Sequence, residues 1–259
     1  MVSSLPLDVK LDEDLVEAAF EGRVEAVASL LSLGADPRAR LSRALRLAAF
    51  NGQAECVALL LPVCDPNAND CWAVSMAAKD GHVECVRLLA PAARHAKGAL
   101  DALASAARSG SVECLNLLLS TCDPKGEKSK PLSTAAYSGH AACVRILMPL
   151  SDPADFEIAL AAAAEGGSVE CLEALLPEIG EFSLVALAAA ARSGREAIVA
   201  RLLEDCPADI SPRKILKTRS EALEMGYPLT AQALTAFIER AELAGDVAGS
   251  FKSTRSSRL

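Results

Sequence analysis

The sequence predicts an all-α chain built as a solenoid of short helical hairpins. Two features of composition and one pattern predict it. Of 259 residues, 50 are Ala and 38 are Leu, and 51% are apolar by a broad count. Such side chains lose little rotamer freedom in a helix, and this apolar content excludes a disordered chain. Only 3% of residues are aromatic, whereas sandwiches and barrels draw on aromatic and β-branched side chains. Six Phe, two Tyr and one Trp are also few large side chains for one globular core of this length. Many small, similar cores fit better, so a repeat is expected.

One motif recurs: Ala-Ala, two variable residues, Gly, a short polar stretch that usually includes Glu, then a Leu-rich run. It reads AAFEGRVEAVASLL from Ala18, AAFNGQAECVALLL from Ala48, AAKDGHVECVRLLA from Ala77 and AARSGSVECLNLLL from Ala106. It continues as AAYSGHAACVRILM from Ala135, AAEGGSVECLEALL from Ala163 and AARSGREAIVARLL from Ala190. The motif glycines, Gly22, Gly52, Gly81, Gly110, Gly139, Gly167 and Gly194, are spaced 30, 29, 29, 29, 28 and 27 residues apart. In the fourth copy Leu100, Leu103, Ala106 and Ala107 mark one face of a first helix. Gly110 breaks that helix, and Val112, Leu115, Leu118 and Leu119 mark a second. Helices this short are marginal alone, so each unit must bury its apolar face against its neighbours.

These residues resemble the ankyrin repeat over roughly residues 11–243. The likeness rests on the Ala-Ala pair, the Gly, Gly81-His82 and Gly139-His140, the Glu-x-Val of the second helix, the Leu-Leu, and Gly34-Ala35-Asp36-Pro37. Units of about 29 residues are shorter than the usual 33. The Thr-Pro-Leu-His opening is replaced, as in Arg43-Ala44-Leu45-Arg46 or Asp101-Ala102-Leu103-Ala104, and survives in part only as Lys130-Pro131-Leu132-Ser133. Truncated β-turn fingers and a more purely helical solenoid are therefore expected. Residues 1–10 read as an N-terminal extension, 11–210 as seven units, 211–243 as a divergent capping unit and 244–259 as a mobile basic tail with Lys252, Arg255 and Arg258. Gln232, Glu239, Arg240 and Glu242 would give the cap a polar outer face.

Charge and chemistry narrow the function classes. The net charge of −8 excludes a uniformly basic nucleic-acid footprint. The N-terminus has no basic stretch followed by an apolar run, so no signal peptide is expected. The longest apolar stretch, Leu184–Ala191, is far short of the ~20 residues a membrane span needs. Nine cysteines, an odd number without a signal peptide, point to reduced thiols in a cytosol-like compartment.

Cys56, Cys85, Cys114, Cys143 and Cys171 share one repeat position that Ala26 and Ile198 fill elsewhere. Equivalent helices pack about 8–10 Å apart, beyond the ~7 Å limit for a disulfide, so these are expected in the core. Cys64 and Cys122 precede Asp-Pro, Cys71 and Cys206 are expected in loops, and only His82, His95 and His140 could join them at a metal. Glu25, Glu55, Glu84, Glu113 and Glu170 recur where they complement a helix dipole. No nucleophile–base set or phosphate loop is present, so no enzyme, cofactor or metal is expected.

The resemblance implies that the two residues after Ala-Ala, together with the fingers, line a concave binding face. The candidate contact residues are Phe20, Glu21, Phe50, Asn51, Lys79, Asp80, Arg108, Tyr137, Glu165 and Arg192, with Trp72, Phe156 and Phe182 in the fingers. Phe20, Phe50, Trp72 and Tyr137 are the expected anchors, since aromatics are enriched there; packing against neighbouring fingers is the alternative. Arg38, Arg40, Arg43 and Arg46 run without an acid between Asp36 and Glu55, and could clamp carboxylates or phosphates or form a solvated finger.

The chain is thus expected to be a non-enzymatic adaptor or stoichiometric inhibitor, monomeric alone, binding another protein and no membrane. Arg exceeds Lys by 17 to 9, and with the high Ala content this fits a GC-rich bacterial genome. An effector delivered into a host cytoplasm or an immunity protein would suit that origin. A nucleic-acid scaffold using Arg38–Arg46 and the tail, or an activity within 211–259, are the alternatives.

Overall fold

A computed structural model describes residues 7–241 apart from 95, 97, 181, 208 and 209. Seven helix–glycine–helix units follow one another: α1 (Leu7–Glu21) with α2 (Val24–Ser32), α3 (Ala39–Phe50) with α4 (Ala54–Leu60), and α5 (Ala68–Lys79) with α6 (Val83–Ala93). Then come α7 (Ala99–Ser109) with α8 (Val112–Leu118), α9 (Gly126–Ser138) with α10 (Ala141–Leu147), α11 (Phe156–Gly166) with α12 (Val169–Ile179), and α13 (Leu184–Arg192) with α14 (Glu196–Glu204). An eighth pair, α15 (Pro212–Glu224) and α16 (228–241), follows. No strand occurs among the described residues. The helix α1 begins at Leu7, so part of the expected extension is helical; the basic tail, Glu242 and His95 lie outside the described residues.

The described chain forms two compact units. One runs to Ala135 and includes Ala142–Asp152; the other holds Ala136–Ala141 and the chain from Pro153 onward. In the first, α1, α3, α5 and α7 pack side by side as one row, and α2, α4, α6 and α8 as a second. In the second, α11 packs on α13 and α13 on α15.

The repeat pattern maps onto buried ladders. Both alanines of every motif pair, from Ala18-Ala19 to Ala190-Ala191, are buried, which lets first helices approach closely. Leu60, Leu89, Leu118, Leu147, Leu175 and Leu202 stand at one position of successive second helices and are also buried. All five ladder cysteines are buried, as a small hydrophobe at a core position should be. Glu25, Glu55, Glu84, Glu113 and Glu170 lie in the first turns of their helices. Ser111 and Ser168 accept the Cys114 and Cys171 N–H groups as N-caps.

Burial pushes the Cys85 thiol up to about 11, with Glu84 adding to the effect. An unfolded thiol titrates near ~8.5. The raised folded value means the protonated thiol is favoured by folding, so this stability is intact below the unfolded value and is lost as pH rises through about 11. Urea midpoints should therefore fall between about pH 8 and about pH 11, and fall less in Cys85→Val. Equal losses in both proteins would remove Cys85 as a cause.

The fingers that enter α3, α5 and α9 are helical. Asp36, Asp65 and Asp123 each accept, through Oδ1, the N–H two residues on, at 2.9, 3.0 and 3.0 Å. The chain then makes a left-handed turn through Arg40–Leu41–Ser42, Asn69–Asp70–Cys71 and Glu127–Lys128–Ser129, with φ between 49° and 59°. Left-handed helix costs about 1–2 kcal/mol per non-glycine residue. The last residue of each turn, Ser42, Cys71 or Ser129, is driven inward and is 1% exposed. Cys71 is thus a buried residue of α5, not a loop residue. Ser42 and Ser129 hydroxyls accept the N–H of Asp65 and Asp152 in the following fingers, at 2.9 and 3.2 Å.

Lys128 is an exposed member of its turn. Lys128→Gly should relieve about 1–2 kcal/mol of strain against about 0.5–1 kcal/mol of added chain entropy, a net gain of up to about 1.5 kcal/mol in urea unfolding. A destabilised variant would contradict the left-handed turn.

Candidate protein-binding face

Side chains at the turn between first and second helices hook one repeat to the one before. Asn51 Nδ2 donates to the Phe20 carbonyl at 2.8 Å, His82 Nε2 to Phe50 at 3.1 Å, Ser109 Oγ to Ala78 at 2.9 Å and Arg195 Nε to Glu165 at 2.9 Å. The helix C-terminal carbonyls, which lack intrahelical partners, are thereby satisfied. Gly52 leaves room for the hook: a Cβ there would lie 2.7 Å from His82 Nδ1, and its φ of +73° disfavours any side chain. Asn51, a candidate contact residue, is therefore committed to the scaffold.

In the first unit Phe20 and Phe50 are 40% and 38% exposed at the ends of α1 and α3. Trp72, at the start of the right-handed part of α5, is half-buried, with its ring centroid 6.0 Å from that of Phe50. The Arg46 guanidinium lies over the Trp72 ring at 5.3 Å, within cation–π range. Lys79, Asp80 and Arg108 are exposed at the ends of α5 and α7, and Glu21 pairs with Arg23 at 2.6 Å.

The arginine cluster divides. Arg46 donates to the carbonyls of Leu41 and Arg40 at 3.0 and 3.2 Å, holding the left-handed turn closed. Arg38 donates to the Val63 carbonyl at 3.1 Å, and Arg40 pairs with Glu13 at 3.0 Å. Arg43 is half-buried and makes no hydrogen bond or ion pair with the described residues. Burial, reinforced by the neighbouring Arg43, holds the Arg46 guanidinium below its ordinary pKa. Three of the four arginines are thus spent on the scaffold.

Between α1 and α3 runs a groove of about 460 Å³. Val9, Val16, Phe20 and Leu47 give it apolar surface, Asp12, Glu13 and Glu17 line one wall, and Arg40 and Arg43 the other. In the second unit Tyr137 is 54% exposed. Glu165 is exposed, and Arg192 pairs with Glu221 at 3.1 Å. Phe182 is half-buried and lines two clefts. Phe156 is 7% exposed as the first residue of α11. It is a core residue and not a partner contact, because its finger ends in a 3-10 turn, Pro153–Asp155, that starts the helix directly.

The profile of the family described as ankyrin repeats (3 copies) matches in overlapping blocks: residues 15–99, 45–127, 74–157, 103–177 and 132–214. The chain belongs to the ankyrin repeat family. Its ankyrin fold is similar to the crystal structure of the human ASB11 ankyrin repeat domain, with a TM-score of 0.59 and 22% identity over 73% of this chain and 96% of that one. No curated protein matches its sequence. Ankyrin repeats are in general protein–protein interaction modules and typically non-enzymatic scaffolds.

Among the described residues of this ankyrin protein, no three His, Cys, Asp or Glu side chains gather as metal ligands. No described helix is long and apolar enough to cross a membrane. Gln232, Glu239 and Arg240 are exposed, but so are Leu223, Met225 and Leu229.

Proposed function

We propose that this ankyrin protein is an adaptor or stoichiometric inhibitor that grips a protein partner on the first-helix face of its N-terminal unit. Phe20, Phe50 and Trp72 are the anchors. The observation that carries this is the exposure of Phe20 and Phe50 on a scaffold whose core is filled by Ala, Leu and Cys. Large side chains that the core does not need, clustered beside a groove, are the usual form of a binding hot spot. Lys79, Asp80 and Arg108 supply the polar rim, while Tyr137, with Glu165, is a separate contact set on the second unit. Three of the four arginines hold intramolecular acceptors, which favours a protein partner over a polynucleotide. A bacterial effector or immunity protein, working in a cytoplasm and monomeric alone, fits the Arg-over-Lys bias of the sequence.

Affinity purification with mass spectrometry, wild type against the Phe20→Ala/Phe50→Ala/Trp72→Ala variant, tests this assignment. Specific partners should disappear from the variant while its thermal unfolding stays cooperative. Retention of every partner by a folded variant would refute it.

A further inference from the structure

We propose that the groove between α1 and α3 takes a short acidic peptide segment of the partner, seating a large apolar side chain against Phe20 and Leu47 and a carboxylate at Arg43. The proposal rests on the protein-binding assignment and adds the chemistry of what is bound.

Most of the charged side chains at the groove already have partners. On the α1 wall, Asp12 Oδ1 accepts the Asp36 N–H at 2.7 Å and Glu13 pairs with Arg40 at 3.0 Å. Glu17, whose nearest cation is Arg23 at 4.0 Å, has a side chain 65% exposed. A charge so well hydrated gains little from a new partner. On the α3 wall, Arg40 is consumed by Glu13, which leaves Arg43. It is half-buried, makes no hydrogen bond or ion pair with the described residues and stands close to Arg46, a like charge. A partly desolvated guanidinium in that setting gains most from a carboxylate, which it can hold through two parallel N–H donors.

The apolar surface sets the second requirement. Val9, Val16, Phe20 and Leu47 bound a space of about 460 Å³, enough for a few residues of peptide and too small for a folded domain to enter. An occupant must therefore place an apolar side chain and an acidic group within a few residues of each other.

The test is selection of short random peptides displayed on phage against the wild-type chain, followed by fluorescence anisotropy with the enriched peptides. Enriched sequences should combine Asp or Glu with Leu, Ile, Met or Phe. Their binding should weaken at least about ten-fold in Arg43→Ala, a loss of about 1.4 kcal/mol, and in Phe20→Ala. The same selection against Arg43→Glu should enrich Lys and Arg instead. Enrichment of apolar peptides without acidic residues, or an unchanged preference in Arg43→Glu, would overturn the acidic partner while the protein-binding face stood. If nothing enriched depends on Phe20, the groove assignment itself fails. Circular dichroism of each variant separates lost binding from lost folding.

Discussion

Replacing Gly98 with Ala is expected to destabilise the first unit by about 2–3 kcal/mol, among the larger effects of adding one methyl group to a packed site. Gly98 precedes α7 at φ −84°, so its backbone alone would accept any residue. The constraint comes from the repeat before. There the left-handed turn through Asn69, Asp70 and Cys71 carries the Asp70 carbonyl into the space a Cβ would need. A carbonyl held in such a turn cannot swing aside as a flexible side chain can, so either α7 shifts away from α5 or the turn unwinds. Both loosen the packing of those two first helices. Urea unfolding should show a lower midpoint, and thermal unfolding a fall of several degrees, at about 2–4 °C per kcal/mol for a domain of this size. An unchanged midpoint would mean that the Asp70 turn is not held where the structure puts it.

Gly98 also shows where sequence reasoning runs out. The repeat was legible because its period is written in core residues: the Ala-Ala pairs, the motif glycines and the Leu and Cys ladders each recur about every 29 residues. Burial then followed, including that of Cys56, Cys85, Cys114, Cys143 and Cys171. The fingers were not legible. Asp36-Pro37, Asp65-Pro66 and Asp123-Pro124 announce turns, but the left-handed stretches after them contain no glycine to signal positive φ. Because that turn ends by pointing inward, Cys71 is buried where a loop residue was expected. The sixth repeat lacks it and Phe156 enters the core as the first residue of α11. Arg46 belongs to the same class. Its value to the fold lies in two carbonyls, Arg40 and Leu41, that only the left-handed turn exposes to it. Asp-Pro is followed by the left-handed turn at Asp36, Asp65 and Asp123 but by a 3-10 turn at Asp152-Pro153, so the dipeptide marks a finger without fixing its geometry.

The candidate site was half legible. Phe20, Phe50 and Tyr137 are exposed as the repeat position implies, and Lys79, Asp80, Arg108 and Glu165 with them. What periodicity could not show is which variable residues are consumed by neighbours. Asn51 serves the Phe20 carbonyl, Arg192 serves Glu221, and Arg38, Arg40 and Arg46 serve the first fingers. These partners lie about one repeat away or on the adjacent turn, a relation fixed by packing and invisible in any one copy of the motif.

The second large effect is expected at the anchors. Truncating one well-placed aromatic at an interface typically costs at least about 2 kcal/mol of binding, or more than about ten-fold in affinity. Phe50 and Trp72 touch at 6.0 Å, so their losses will not add simply. Even so, the triple variant should lose at least about a hundred-fold in affinity. Stability should change far less, because Phe20 and Phe50 are already well exposed. Trp72 is the one anchor whose loss will also be felt by the fold, through the Arg46 guanidinium stacked on its ring.

The most direct measurement is the affinity of a captured partner for the wild type, for Phe20→Ala/Phe50→Ala and for Tyr137→Ala, with the thermal unfolding of each variant measured alongside. A face centred on α1 and α3 predicts a loss of at least about ten-fold for the Phe20/Phe50 pair, with cooperative unfolding preserved. Wild-type affinity in the folded Phe20/Phe50 variant, above all with a loss in Tyr137→Ala, would place the binding surface elsewhere.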